Sequence, residues 1–188
     1  MQRLNIFNKA HKALRGLFCT TLIQLQQTDP TRLNELVPCI SQIRLLLELL
    51  EQHALLEDNH ILPLLEPNGA SISTFFANQH VQDEILSTNL KCTLNSLEKE
   101  NTKEEQLHLG QKLMLQFIDF TVFNLDHMNM EEQLINPFLW SAYPDAVLEN
   151  KITEAIRASP PVHHEIFLDL MIQHQNKSEV QAKPTSDE

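Results

Sequence analysis

The feature that most constrains this chain is an eleven-residue motif that occurs twice. The first copy runs His53-Ala-Leu-Leu-Glu57-Asp-Asn-His-Ile-Leu-Pro63 and the second His127-Met-Asn-Met-Glu131-Glu-Gln-Leu-Ile-Asn-Pro137. In each copy a histidine precedes a glutamate by four residues, a second acid follows at once, and a proline closes the motif. Residues four apart on an α-helix share a face, with Cβ atoms roughly 5–6 Å apart, so the imidazole and the carboxylate can reach one ion. We expect each proline to end or kink its helix beyond the pair.

A lone histidine precedes each copy at a similar distance. His11 stands 42 residues before His53, and His80 stands 47 residues before His127. Each half is long enough for two antiparallel helices of about 20 residues, and four such helices would bring four His and two Glu into one interior. Imidazole suits iron, zinc and copper, and two carboxylates can bridge a pair of ions. One H-x-x-x-E alone is more often a surface pair, and a metal-free helical scaffold is the alternative that stays open.

Composition favours an all-α chain. The 188 residues include 31 Leu but six Val, three Gly and one Tyr, which favours helix formers over strand formers. The formal net charge of −11, with no stripe of Lys and Arg, argues against nucleic-acid binding. No apolar run reaches the roughly 18 residues of a membrane span. The three cysteines form no Cys-x-x-Cys pair and no secretory signal is evident, so we expect reduced, mostly buried thiols and a cytoplasmic location.

The pattern resembles the hemerythrin-like family, whose members carry an HHE cation-binding motif and are non-haem di-iron proteins. The resemblance covers residues 5 to 140, and the tract Glu57-Asp-Asn-His-Ile-Leu-Pro63 is similar to the end of the family's second helix. It implies an up-down-up-down four-helix bundle that holds two irons with a bridging oxide or hydroxide, for which zinc or manganese are substitutes. The ligands that it implies are His11, His53, Glu57, His80, His127 and Glu131.

Two features differ from the oxygen carriers of that family. Those proteins have a further histidine one turn after the third-helix histidine, where this chain has Glu84. The H-x-x-x-E form at Glu131 also resembles the bacterial type rather than the carriers' His-to-Asp spacing. We therefore expect no reversible oxygen carriage, and Glu84 becomes a candidate accessory carboxylate. His60, on nearly the same face as His53, is either an extra ligand or a polar residue at the helix end.

The apolar pattern predicts the helices that carry these residues. We expect helix 1 from about Phe7 to Gln27, helix 2 from Pro38, helix 3 after Ser71 or Ser73, and helix 4 from Lys103 to Asn136, with Ile85 and Leu134 on the apolar stripes. Residues 1–140 form the bundle, 141–175 a C-terminal helical extension and 176–188 a disordered tail. The extension is expected to hold helices from Asp145 to Ala158 and from His164 to His174, which brace the bundle or form the face of a homodimer.

Two classes of function fit this pattern. The first is a binding or sensing protein, in which two irons bind oxygen, nitric oxide or peroxide and the bundle reports the event, or in which the protein handles iron. The second is a small redox enzyme that reduces peroxide or nitric oxide or donates iron to damaged iron centres. Both need a small-molecule ligand, and neither needs nucleic acid or a membrane.

Overall fold

The computed structural model describes residues 3–158, 161–174 and 176, and the regular structure of this part of the chain is entirely helical. Its α-helices are α1 (Asn8–Gln27), α2 (Leu33–Leu56), α3 (Ala70–Lys99), α4 (Lys103–Ala142), α5 (Asp145–Ala158) and α6 (Pro161–Gln173). A π-helical turn (Glu57–Ile61) and a 3₁₀ turn (Leu62–Leu65) connect α2 to α3. The predicted all-α class is confirmed. The predicted disordered tail lies, apart from Asn176, outside the described residues.

Helices α1 to α4 form a four-helix bundle in which neighbours in sequence are neighbours in space. Helix α1 packs against α2, α2 against α3, α3 against α4, and α4 returns to α1. Residues 28–32 alone connect α1 to α2, and residues 100–102 connect α3 to α4. Connections this short make successive helices antiparallel, so the four helices enclose one interior.

That interior holds two apolar clusters. One contains Phe18, Phe117 and Phe120, all fully buried, with ring centroids 5.7 to 6.3 Å from that of Phe18, a favourable range for aromatic pairs. The second cluster includes Phe7, Leu65, Phe76, Ile135 and Leu139. On α1 the expected ligand His11 falls between Phe7 of the second cluster and Leu14 of the first. The ligand layer therefore lies between the two apolar clusters.

Two residues of the predicted apolar stripes are on the outside. The side chains of Ile85 and Leu134 are 51% and 46% exposed. A helix turns through 3.6 residues, so the residues that continue the inward face from Glu131 are Ile135 and Leu139, both fully buried. The prediction was wrong at these positions because the assumed apolar stripe did not follow the 3.6-residue turn of the helix.

Helix α2 begins at Leu33, five residues before the predicted start at Pro38. Pro38 lacks an N–H, so the one hydrogen bond that it removes is the bond to the carbonyl of Asn34. The extra turn persists because Leu36 is buried with 2% exposure. The Glu35 carboxylate also accepts a hydrogen bond from the backbone N–H of Asp29 at 3.0 Å.

The two motif prolines have different effects. Pro63 would clash with the carbonyl of residue 59 in a regular α-helix, and the chain widens there into the π turn, in which the Leu62 N–H donates to the Glu57 carbonyl five residues earlier. Pro137 lies inside α4, which continues to Ala142. The helix therefore does not end at Pro137, and the predicted end of helix 4 at Asn136 was wrong by six residues. Pro137 and Gln133, whose carbonyl it leaves unbonded, are both exposed, so water can solvate that carbonyl.

The C-terminal helices cover the side of the bundle that carries His11 and His53. Helix α5 packs against the π turn and α2, and α6 packs against α1 and α2. The ring of Phe167 on α6 lies 6.5 Å from the imidazole of His53, and the His174 ring lies against Gly16, where any Cβ would collide with it. Helix α6 begins at Pro161, three residues before the predicted start, because proline is well suited to the first turn of a helix.

Two further expectations concern the membrane and the cysteines. In the described part of the chain, none of the helices combines the length and the hydropathy that a bilayer span requires. The three cysteines are free thiols, but only Cys39 is buried, while Cys19 and Cys92 are exposed. The expectation of mostly buried thiols was therefore wrong.

The first testable prediction concerns the core. Replacing Phe18 with Ala should lower the free energy of unfolding by about 3–5 kcal/mol, because a fully buried ring is lost and the bundle cannot close the cavity. A denaturant titration measures this. The matched control is Ile23→Ala on the same helix, whose side chain is 57% exposed and which should change stability by less than about 0.5 kcal/mol. Equal effects of the two variants would contradict the assigned core.

Candidate metal centre

Six side chains from the four bundle helices meet in the interior. They are His11 of α1, His53 of α2, Glu57 at the start of the π turn, His80 of α3, and His127 and Glu131 of α4. Their potential ligand atoms form two groups of four, within each of which all atoms lie no more than 4.8 Å apart. The first group contains His11 and His53, the second contains His80 and His127, and the two glutamates belong to both groups.

Each glutamate directs one oxygen toward each group. Oε1 of Glu57 lies 3.0 Å from Nε2 of His53, and its Oε2 lies 3.4 Å from Nε2 of His80. Oε2 of Glu131 lies 3.4 Å from Nε2 of His11, and its Oε1 lies 3.3 Å from Nε2 of His127. Ligand atoms bound about 2 Å from one metal ion lie roughly 3 to 3.5 Å from each other. The geometry therefore suits two ions that share both carboxylates.

The carboxylates also lack any other partner. Both oxygens of Glu57 and both of Glu131 are buried and accept no hydrogen bond from the residues that the structure describes, and Nε2 of His80 is equally unpaired. A buried carboxylate without compensation is strongly unfavourable, and buried charges in proteins are paired or coordinate metals. The donor set thus fits metal ions.

The outer nitrogens of three histidines are held by side chains that the sequence analysis did not assign. Nδ1 of His11 lies 3.0 Å from Oε1 of Glu132, and Nδ1 of His80 lies 2.8 Å from Oδ1 of Asp58. Nδ1 of His127 lies 2.7 Å from Oε1 of Gln79. Such bonds fix the ring orientation and make Nε2 the metal-facing nitrogen.

Glu132 and Asp58 occupy the same place in the two motif copies. Each follows a shared glutamate directly, and each contacts the lone histidine on a neighbouring helix rather than the histidine of its own motif. The pattern of a second acid after the glutamate was visible in the sequence. The partner of that acid was not, because it depends on how the helices pack.

Glu132 connects the centre to the N-terminal segment. Its carboxylate accepts hydrogen bonds from Arg15 at 2.8 Å and from Asn5 at 2.9 Å. The hydrogen bond with His11, and to a smaller extent those with Arg15 and Asn5, lower the pKa of Glu132 to about 2, although burial alone would raise it. The carboxylate is therefore ionised at neutral pH and can accept a hydrogen bond from the Nδ1–H of His11.

In the metal-free protein the centre holds protons in place of cations. Burial disfavours a charged His11, yet the carboxylates of Glu131, Glu132 and Glu57 outweigh it and raise the pKa to about 10. Burial likewise opposes protonation of His80, but Glu57 and Asp58 raise its pKa to about 9. Burial and the charge of Glu57 raise the pKa of Glu131 to about 8.

Two other candidate ligands have lowered pKa values. Burial, together with the charges of the other histidines, lowers the pKa of His127 to about 3. Burial would raise the pKa of Glu57, but His53, His11 and His80 lower it well below its ordinary value. Of the two shared glutamates, Glu57 is thus the ionised one in the metal-free state.

A small cavity of about 10 Å³ adjoins the centre. It is lined by Leu50, His53, Ala54, Glu57, His80, Asp83, Asn124, His127 and Met128. Asp83 and Asn124 are bonded to each other, with Nδ2 of Asn124 2.6 Å from Oδ1 of Asp83. Burial raises the pKa of Asp83, while the hydrogen bond from Asn124 opposes that rise.

The two additional candidates from the sequence lie elsewhere. Glu84 is exposed and belongs to neither group, whereas its neighbour Asp83 lines the cavity. His60 is half-buried in the π turn and is in neither group. Spacing alone could not distinguish Asp83 from Glu84, because the residues three and four positions after His80 lie near the same helix face.

Comparison with known proteins agrees with this arrangement. The family model described as the Hemerythrin HHE cation binding domain matches residues 3–159. This chain belongs to the hemerythrin HHE family. A curated relative, F-box/LRR-repeat protein 5 of Salmo salar, is 27% identical over 139 residues, which cover 72% of this chain and 19% of that protein. The chain thus spans about a fifth of the length of that relative. No solved structure matches the chain significantly.

A second testable prediction concerns Asp58. Replacing Asp58 with Ala should weaken metal affinity about tenfold, because His80 loses the carboxylate that orients its ring. Competition with a chromophoric chelator measures the affinity. The control is Asp126→Ala, which removes an exposed carboxylate next to His127 on α4 and should leave affinity unchanged. Identical affinities for the two variants would show that Asp58 does not support the site.

A third prediction concerns protons. Metal ligands bind in their deprotonated forms, and at pH 7 the metal-free protein holds protons on His11, His80 and Glu131, whose pKa values are about 10, 9 and 8. Binding should therefore release protons at pH 7, and affinity should rise with pH until these groups are deprotonated. Calorimetry in buffers of different ionisation enthalpy counts the protons. A release of none would contradict the assigned ligands.

Proposed function

We propose that this protein is a non-haem di-iron protein that binds a small ligand such as oxygen, nitric oxide or peroxide. The observation that carries the proposal is the division of the four glutamate oxygens between the two histidine pairs. A mononuclear site would need one such group, and a structural ion pair would not need the unpaired oxygens of Glu57 and Glu131.

The proposed ligands of the first ion are His11 and His53, and those of the second are His80 and His127. Glu57 and Glu131 would bridge the two, which gives each ion four protein donors. Iron accepts both imidazole and carboxylate, and membership of the hemerythrin family supports iron over zinc, although zinc would bind such a donor set more tightly on affinity alone. A pair of irons supplies redox chemistry and coordination positions that the protein leaves open.

The size of the cavity supports a very small ligand. A volume of about 10 Å³ is close to the space that one water molecule needs, so the cavity favours ligands of a few atoms over larger molecules. Leu50 and Met128 supply apolar lining on one part of the wall. Burial of the ligands keeps bulk water from the ions, since the four shared carboxylate oxygens are all inaccessible.

Binding and catalysis make different demands on this centre. A binding or sensing protein completes its task in a single binding or oxidation event. An enzyme must return to its starting state after each turnover, and for that it needs a reductant. We propose binding as the primary function, since the cavity admits the ligand but has little room beside it for an organic electron donor. Sustained consumption of peroxide or nitric oxide in the presence of a reductant would instead establish the redox enzyme.

The fourth prediction tests the di-iron proposal. Protein from iron-replete cells should carry about two irons per chain, measured by elemental analysis against protein concentration. Glu57→Ala should lose both irons, because one carboxylate serves both ions, and metal-free wild type should melt at a lower temperature than the loaded form. Glu84→Ala, an exposed glutamate outside both groups, is the control and should keep both irons. One iron per wild-type chain would contradict the dinuclear proposal.

A further inference from the structure

Asp83 is the ionisable side chain of the cavity wall that belongs to neither ligand group. Of the described residues that line the cavity, His53, Glu57, His80 and His127 are proposed ligands, and the others apart from Asp83 are uncharged. Any molecule that enters this water-sized space must contact the cavity wall. The carboxyl group of Asp83 is therefore placed to interact with a ligand in the cavity.

The orientation of Asp83 is fixed by the opposite helix. Asn124 on α4 is 3% exposed and donates through Nδ2 both to Oδ1 of Asp83 at 2.6 Å and to the Phe120 carbonyl at 3.1 Å. The Asn124 amide is thereby held on α4 and directed at α3. Oδ1 of Asp83 accepts this bond.

We propose that Asp83 is a specificity-determining residue of the small-ligand pocket, where its carboxylate favours ligands that carry a proton over anions that carry none. A carboxylate oxygen accepts a hydrogen bond from water, hydroxide or a protonated peroxide. It repels an aprotic anion at the same place, and at short range this repulsion is substantial. Discrimination between ligands by an unfavourable charge is an effective form of specificity. The inference rests on the proposed di-iron function.

A different role for Asp83 would be to tie α3 to α4 through Asn124, with no effect on the ligand. The two roles can be separated because Asp83→Asn removes the charge but keeps a side-chain oxygen that can accept the bond from Asn124, whereas Asp83→Ala removes both. If the charge beside the cavity matters, Asp83→Asn should differ from wild type in ligand affinity. If only the connection between the helices matters, Asp83→Asn should resemble wild type and Asp83→Ala should differ from it.

The experiment is an azide titration of the iron-loaded, oxidised protein, followed by the absorption band that azide produces with ferric iron. Asp83→Asn removes the charge with almost no change of shape, and we expect azide to bind roughly tenfold more tightly to it than to wild type. The control is Glu84→Gln, which makes the same change of charge at the next residue of α3 on an exposed side chain. Its azide affinity should stay within about twofold of wild type.

Iron content and thermal midpoint are measured on the same samples. Unchanged azide affinity in Asp83→Asn with two irons bound would overturn the inference and leave the proposed function intact. A gain in Asp83→Ala without one in Asp83→Asn would overturn it in favour of the connection between the helices. Loss of one iron from Asp83→Asn would also overturn it, because Asp83 would then be a ligand. Wild-type protein that takes up no metal would overturn the proposed function and this inference together.

Discussion

The burial of two glutamates without hydrogen-bond partners is the constraint on which the rest of the structure depends. Four carboxylate oxygens lie in the interior between two apolar clusters, where an uncompensated charge is costly. Four histidines surround them, and each of the four oxygens lies 3.0 to 3.4 Å from Nε2 of a different histidine. The bundle can hold this layer only if something positive occupies it, either protons in the metal-free state or metal ions in the loaded state.

The second requirement is that the histidine rings do not turn away. Glu132 and Asp58 bond the outer nitrogens of His11 and His80 across helix interfaces. In each motif, the acid that follows the glutamate therefore orients a histidine that lies outside that motif. The two halves of the chain share this arrangement. The halves are not equal, since Glu132 is anchored by Arg15 and Asn5 while Asp58 is 41% exposed. The His80 side, which also borders the cavity, is thus the less rigidly held of the two.

Much of this arrangement was predictable from the sequence. The spacing of His53, Glu57, His127 and Glu131 depends only on helix geometry. The predicted helices all form, although α2, α3 and α6 begin earlier and α4 ends later than the apolar pattern placed them. The exact rotation of each helix was not predictable, because it is set by packing against neighbours. That is why Asp83 rather than Glu84 faces the centre, and why Leu134 is exposed while Ile135 is buried. Pro63 predicts a disturbed helix, but the sequence contains no separate pattern that predicts the π turn at Glu57.

Charge balance explains why the acids beyond the ligands are useful. Two divalent ions carry four positive charges, and the proposed bridges Glu57 and Glu131 contribute two negative charges. A buried excess of positive charge would attract whatever anion is abundant. Asp58, Glu132 and Asp83 surround the same layer, and when ionised they offset that excess without binding the ions. A centre neutralised from outside can keep its coordination positions open for small molecules, whereas one neutralised by a bound anion would have filled them.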